Sequence, residues 1–429
     1  MKKDKELSFL ARVILFFRSV RNKIASLKLF NKINERQRNL SSYNGKESSE
    51  ESRIAYFLGI AKVVSAALLT VVLLITVLFG SGVISFEKVY YMFKDISYIK
   101  SFDEGDPSSL NYSRPVQNQV FGNFKNGLLV ASDSEIKLFT STGRVTLSEG
   151  SEMVNPRVAS SSGYALIYDQ GRKTYSIYNS FVKLYSERTE YPIALADVSD
   201  NGEFLIVTSS AKYSSVVKIY GSDFKLKSEL CKNDRVISAA ISDDGKYTSI
   251  VSLNASDGMG HIKVSVLDCK KNEIISETVF SGSVPYFCEF LSNDRIALLL
   301  DDKALVLSRA GRVIGEYEYP SDVERIDVYG DRFAILFSEA EGQDKKQISV
   351  FDSGCNKVFS TTTSGSVRDL ELGEGYLYLL KSKEVIRIST TLGTQTASEV
   401  YVDTSRLVAL DGGRVVACSA ASGSYISFD

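Results

Sequence analysis

A single histidine limits the chemistry open to this 429-residue chain. His261 lies in Asp257-Gly258-Met259-Gly260-His261, a glycine-rich loop composition. A Ser-His-Asp triad would have to use it, yet no Gly-x-Ser-x-Gly elbow is present to hold a nucleophile. Multi-histidine metal ligation is ruled out, and no EF-hand spacing occurs. The five cysteines, Cys231, Cys269, Cys288, Cys355 and Cys418, show no CxxC pairing, so they form neither a zinc knuckle nor a thioredoxin-like couple. Their odd number argues against a complete disulfide framework and predicts free, mostly buried thiols. Carboxylate pairs such as Asp243-Asp244 and Asp301-Asp302 fall in turn sequences, where aspartate bonds its local backbone; they read as turn residues before they read as acid/base pairs. There is no Walker A motif, and tryptophan, common in sugar-binding platforms, is absent. No catalytic residue, cofactor or metal ligand is expected.

The elements that carry these residues are repeats. Eight times a turn dipeptide precedes a compact apolar run: Asn126-Gly127, Ser162-Gly163, Asn201-Gly202, Asp244-Gly245, Asn293-Asp294, Gly330-Asp331, Glu374-Gly375 and Gly412-Gly413. Asn-Gly and Asp-Gly supply the positive φ that tight hairpins need. A third, alternating strand follows each hairpin, from Ile136–Phe139 in the first unit to Tyr425–Phe428 in the last. A fourth, such as Val145–Leu147, Lys225–Lys227, Ile274–Ser276 or Val313–Tyr317, completes seven units. Four short strands at a period of about 37 to 49 residues are the mark of propeller blades. Immunoglobulin-like units need about 100 residues. The fold expected is all-β, a β-propeller of eight blades, with seven as the alternative. The eighth unit lacks its fourth strand, so the segment before the first blade is expected to supply it, best placed at Leu110–Ser113. Such closure leaves no open edge.

Binding is expected on the face that carries the blade joints and the second-to-third-strand loops. Those loops are longest at Ser209–Ser215, Asn254–Gly260 and Ser338–Gln347, which makes Tyr213, Asp257, His261 and Lys345 candidate contacts. Arg157, Arg325, Arg368 and Arg406 fall in or near innermost strands. They either form a basic channel mouth or pair with Asp327, Asp369 or Glu371.

The repeats Asn155-Pro-Arg-Val-Ala-Ser-Ser-Ser-Gly-Tyr-Ala-Leu-Ile-Tyr-Asp-Gln-Gly-Arg-Lys173 and Ile237-Ser-Ala-Ala-Ile-Ser-Asp-Asp-Gly-Lys-Tyr247 resemble those of DUF5711, an uncharacterised family of membrane-anchored bacterial propellers. The resemblance implies a Gram-positive-type envelope and offers no catalytic residues. More distantly the chain is similar to quinoprotein-like and WD40-like propellers, although the missing tryptophan departs from the quinoprotein repeat.

Ahead of the repeats, Val63 to Ile84 is uncharged and reads as a transmembrane helix. At about 1.5 Å per residue its roughly 22 residues span about 33 Å, against a hydrocarbon core of about 30 Å. Residues 1–53 hold 13 Lys/Arg against 6 Asp/Glu, while the remainder holds 38 against 46. The positive-inside rule then places the head in the cytoplasm and the propeller outside. A cleaved signal peptide is disfavoured, because the apolar run starts too late and lacks a small-x-small site. The expected organisation is a basic head over 1–53 with an amphipathic stretch at 7–30, a flank at 54–62, a membrane span at 63–84, a juxtamembrane linker at 85–106 and a propeller at 107–429. Membrane lipid, through 63–84 and 7–30, and an envelope protein or surface polymer are the expected partners; nucleic acid is not. The function expected is an extracytoplasmic binding module. A glycan-active enzyme using channel carboxylates and a transmembrane sensor are the alternatives.

Overall fold

The computed structural model describes residues 110–256, 259–339 and 345–428. The basic head, the membrane span, the linker and Asp257 lie outside these residues. Among the described residues no helix is long and apolar enough to cross a membrane.

Eight four-stranded antiparallel sheets make an eight-bladed propeller. The innermost strands of blades 1 to 8 are Gln119–Phe124, Pro156–Ser160, Ile193–Val198, Arg235–Ile241, Pro285–Ser292, Val323–Tyr329, Asp369–Gly373 and Arg406–Leu410. Each is followed by the three remaining strands of its blade, except in blade 8. There Leu110–Asn111 forms the fourth strand, with Leu110 opposite Gly423 and Asn111 opposite Ser422. The Tyr112 hydroxyl donates to the Ser419 carbonyl at 2.9 Å, and Lys137 Nζ of blade 1 donates to the Asn111 carbonyl at 2.9 Å. The closing strand is thus fastened to both neighbours.

The second strands explain the apolar runs. Ala165–Asp169, Phe204–Thr208 and Gly127–Ser132 are buried at every position, because each lies mid-sheet with a blade on either side. The core is divided accordingly. Eight clusters of buried side chains occupy the eight joints, one between each pair of adjacent blades. Leu129, Ile136, Ala165 and Ile167 fill the joint of blades 1 and 2, while Leu110, Leu128, Val130 and Val416 fill that of blades 8 and 1. Each blade is stabilised by its neighbours, so the ring stands or falls on closure.

All eight predicted turns join first to second strands, but their backbones differ. Gly202 and Gly245 take φ of 84° and 69° as expected. In blade 1 the positive φ values are instead at Lys125 and Asn126, and Gly127 already belongs to the strand, pressed against the Phe139 carbonyl where a Cβ would collide. The turns of blades 2 and 5 contain no residue of positive φ. Two strands also need correction. The third strand of blade 8 is Ser422–Ile426, starting three residues before and ending two before the expected Tyr425–Phe428, because it must face both Leu110–Asn111 and Arg414–Cys418. The expected loop at Asn254–Gly260 is mostly ladder: Tyr247–Ser256 and Met259–Asp268 are the longest strands in the ring.

Candidate functional site

Every innermost strand starts at the end of the ring that carries the blade joints and the second-to-third-strand loops, here called the joint face. Arg157, Arg325 and Arg406 lie at or next to the start of their strands and Arg368 directly before one, so all four arrive at the mouth of the central channel. Arg157, Arg325 and Arg406 are exposed and Arg368 is half-buried.

The partners of these arginines decide between the two expected roles. Arg157 Nε donates to Gln170 Oε1 at 2.9 Å, and Gln170 in turn donates to the Ala194 carbonyl of blade 3 at 2.9 Å. Arg325 donates to the carbonyls of Glu324 and Arg368, at 2.8 and 3.4 Å. Arg368 donates to those of Val402 and Thr404, at 2.7 and 3.4 Å. Only Arg406, among the four, meets a carboxylate, Asp369 Oδ1 at 2.9 Å. The expected pairing with Asp327 or Glu371 does not occur. Three guanidinium groups therefore hold neutral oxygens, which fixes their position and leaves their charge in place. The same face exposes side chains that sequence reasoning missed: Tyr401 and Val402 in the joint of blades 7 and 8, 77% and 59% exposed, with Arg368 bonded to the Val402 carbonyl, and Tyr286 at the start of the blade 5 inner strand. The run Val400-Tyr401-Val402 between two strands was the available signal.

The acids below the mouth serve the ring. Asp327 Oδ2 accepts the Leu372 amide of blade 7 at 2.6 Å, and Asp197 Oδ2 accepts the Ile241 amide of blade 4 at 2.8 Å. Burial pushes Asp197 up to about 6 and Asp327 up to about 7; Asp243 and Asp369, respectively, add to the rise, while amide hydrogen bonds oppose it. Burial likewise raises Glu289 and Glu371 well above the usual carboxylate range, reinforced by Asp197 and by Asp327. Two sets of neighbouring acids thus form, one spanning blades 3 to 5 and one spanning blades 6 and 7. The pairs noticed in the sequence do local work. Asp244 accepts Ser242 Oγ and the Lys246 amide, and Asp301 accepts the Val284 amide at 2.7 Å. Among the described residues no group of three or more His, Cys, Asp or Glu side chains is placed to hold a metal ion.

Two grooves open between neighbouring blades, the first running along their outer strands from the joint face to the opposite end and the second at the joint face. One of about 650 Å³, between blades 1 and 2, is lined by Arg172, Lys173, Arg188, Glu152 and Tyr178, with Lys183 paired to Glu149 inside it. The other, of about 290 Å³, is lined by Tyr213 together with Glu190, Tyr191 and Cys231. Tyr213 is held there by its amide bond to Ser210 Oγ, with Lys212 Nζ 5.1 Å from its ring centroid. Neither groove was legible in the sequence. His261 is half-buried and shares a 2.8 Å hydrogen bond with Ser281 Oγ. It is set in the blade 4 ladder opposite Asn254, apart from the arginines in sequence and in blade. Lys345 is exposed directly before the blade 6 strand Lys346–Phe351. The five cysteines are unpaired. Cys288, Cys355 and Cys418 are buried as expected, whereas Cys231 is exposed because it lies on an outermost strand with no blade in front of it.

With this geometry described, comparison with known proteins gives one family. Residues 99–416 match a family of unknown function, DUF5711. The chain belongs to DUF5711. No curated protein matches it. Similar solved structures include BamB from Moraxella catarrhalis, 11% identical, with 74% of this chain and 100% of that chain covered and a TM-score of 0.48. They also include the Pan2 WD40 domain of Neurospora crassa, 8% identical, with 62% of this chain and 87% of that chain covered and a TM-score of 0.43.

Proposed function

We propose that this DUF5711 member is a single-pass membrane protein whose extracytoplasmic propeller binds an envelope protein or surface polymer through its joint face, without catalysing a reaction. The observation that carries the proposal is the channel mouth: Arg157, Arg325 and Arg368 are fixed by neutral oxygens on the same face of the ring that exposes the rings of Tyr286 and Tyr401. Arginine and tyrosine are the side chains most enriched at the energetic centres of interfaces. Held rigidly, they lose little conformational entropy on binding. Positive charge around the mouth favours an acidic segment on the partner.

The anchoring half of the proposal rests on the uncharged run 63–84 and on the excess of cations ahead of it. A glycan hydrolase would draw on the raised acids, but Asp197 and Asp327 each spend one oxygen on an amide of the next blade, which suits a fastener better than a proton donor. The test is pull-down from membranes with the full-length protein against its Arg157→Glu/Arg325→Glu variant. One partner recovered by the native protein and lost from the variant supports the reading. Equal recovery by both, or turnover of an envelope glycan by the purified chain, refutes it.

A further inference from the structure

The opposite end of the ring, where third strands turn into fourth strands, carries a second and different surface. In blade 3 that turn presents Lys225, Leu226 and Lys227, and in blade 4 it presents Lys270, Lys271, Ile274 and Ile275. Blade 5 adds Arg312, Val313 and Ile314, and blade 6 adds Lys357 and Val358. The apolar members of this series are between 40% and 50% exposed. Their position is equivalent in each blade, at the start of the outermost strand: Leu226 faces Tyr220, Ile274 faces Leu267 and Val313 faces Leu307.

These turns form one band, because each lies against the outermost strand of the blade before it. Ser228 hydrogen-bonds Asn272 across the joint of blades 3 and 4. Ser276 and Thr278 of blade 4 donate to the carbonyls of Arg309 and Gly311 in the blade 5 turn, both at 2.9 Å. Gly315 of blade 5 lies so close to Gly354 and Cys355 of the blade 6 turn that any Cβ there would strike backbone. Isolated exposed valines on a propeller need no explanation, but a row of them alternating with cations across four consecutive blades does.

The charges identify what covers the band. Lys225 and Lys227 pair with Asp223 and Glu203, whereas Lys270, Lys271, Arg312 and Lys357 take part in no ion pair among the described residues. Asp268 and Asp352 on the same turns are occupied by amides of their own loops, which leaves Glu273 as the exposed acid of the blade 4 turn. Branched apolar side chains flanked by long cationic ones suit the boundary of an anionic bilayer. There the apolar groups enter the acyl layer while the ammonium and guanidinium ends stay among the headgroups. The strand Leu110–Asn111 runs antiparallel to Ser422–Ile426, so the chain passes through it toward the joint face. The 25 residues between Ile84 and Leu110 can extend about 80 Å at about 3.3 Å each, ample for any resting position.

We infer that the turn band of blades 3 to 6 docks on the anionic lipid surface of the membrane that holds the protein, so that the ring leans on these blades and turns its joint face away from the bilayer. This rests on the membrane anchoring proposed above.

The test is hydrogen–deuterium exchange of the full-length chain in nanodiscs of phosphatidylglycerol and of phosphatidylcholine. Amides of 268–276, 309–315 and 353–359 are expected to exchange about tenfold more slowly in the anionic discs, with the joint-face loops unchanged. The difference should vanish in an Ile275→Glu/Ile314→Glu variant, whose exposed side chains leave the fold intact. A chain that enters the discs but exchanges equally in both lipids overturns the docking while leaving the anchor standing. A chain that fails to enter discs overturns both. Protection equal in the two lipids and rising with protein concentration overturns the docking in favour of contact between copies.

Discussion

Replacing Asp327 with asparagine separates charge from shape at the centre of the ring. Its Oδ2 accepts the Leu372 amide at 2.6 Å and so ties blade 6 to blade 7. Burial lifts its pKa from 3.8 to about 7, with Asp369 adding to the rise. A carboxyl whose folded-state pKa exceeds its unfolded value binds more protons when folded, so its contribution to stability is complete below about pH 4 and is lost as pH rises through about 7. The full shift corresponds to at most about 4 kcal/mol, at about 1.4 kcal/mol per unit. Asp327 is partly exposed on the inner wall of the ring, and screening there reduces the usable part to about 1–2 kcal/mol. Asparagine keeps an oxygen for the Leu372 amide and carries no charge. Asp327→Asn should therefore stabilise the protein by about 1–2 kcal/mol at pH 8 and leave it unchanged at pH 4. Asp327→Ala, which orphans the amide, should cost about 1–3 kcal/mol at pH 4 and about 1–2 kcal/mol less at pH 8, where it removes the buried charge as well. Urea denaturation of the full-length chain in detergent, followed by far-UV circular dichroism, reads both effects. No gain for the asparagine variant at pH 8, or an equal gain at both pH values, would refute the reasoning.

Three further perturbations test separate parts of the account. Leu110→Ala removes a fully buried side chain from the closing strand. It should lower stability by about 2–5 kcal/mol, seen as a depressed thermal midpoint. Gly202→Ala places a Cβ at φ 84° and within 2.8 Å of the Tyr164 ring, so it should destabilise by more than about 1 kcal/mol in the same melt. Alkylation with iodoacetamide followed by mass spectrometry should label Cys231 first. Cys288 and Cys355, buried and pushed up to about 12, should react only on unfolding.

The blade plan was legible because it is local. A turn followed by an apolar run and then an alternating strand repeats in the sequence itself, and the missing fourth strand of blade 8 pointed to Leu110, where the ring closes. The errors arose where neighbours outrank local pattern. Ser422-Gly423 does not alternate like a buried strand, yet it pairs on both sides and belongs to the ladder. The site was legible only in part. Arg157, Arg325, Arg368 and Arg406 were placed at the mouth by their positions in inner strands, but their partners were not, because the oxygens they bind belong largely to backbone and to other blades. Tyr401 and the two grooves depend on how joints meet across blades, and no spacing within one repeat encodes that.

The central claim, that the joint face holds a partner, is tested most directly by photo-crosslinking in intact cells. A photoreactive residue replaces Tyr401 at the mouth or, as a control, exposed Leu392 in the third-to-fourth-strand turn of blade 7, at the opposite end of the ring. The account predicts one discrete adduct from position 401, absent from position 392 and lost when Arg157→Glu/Arg325→Glu is added. Equal adducts from both positions, or an adduct at 401 that survives the arginine reversal, would contradict it.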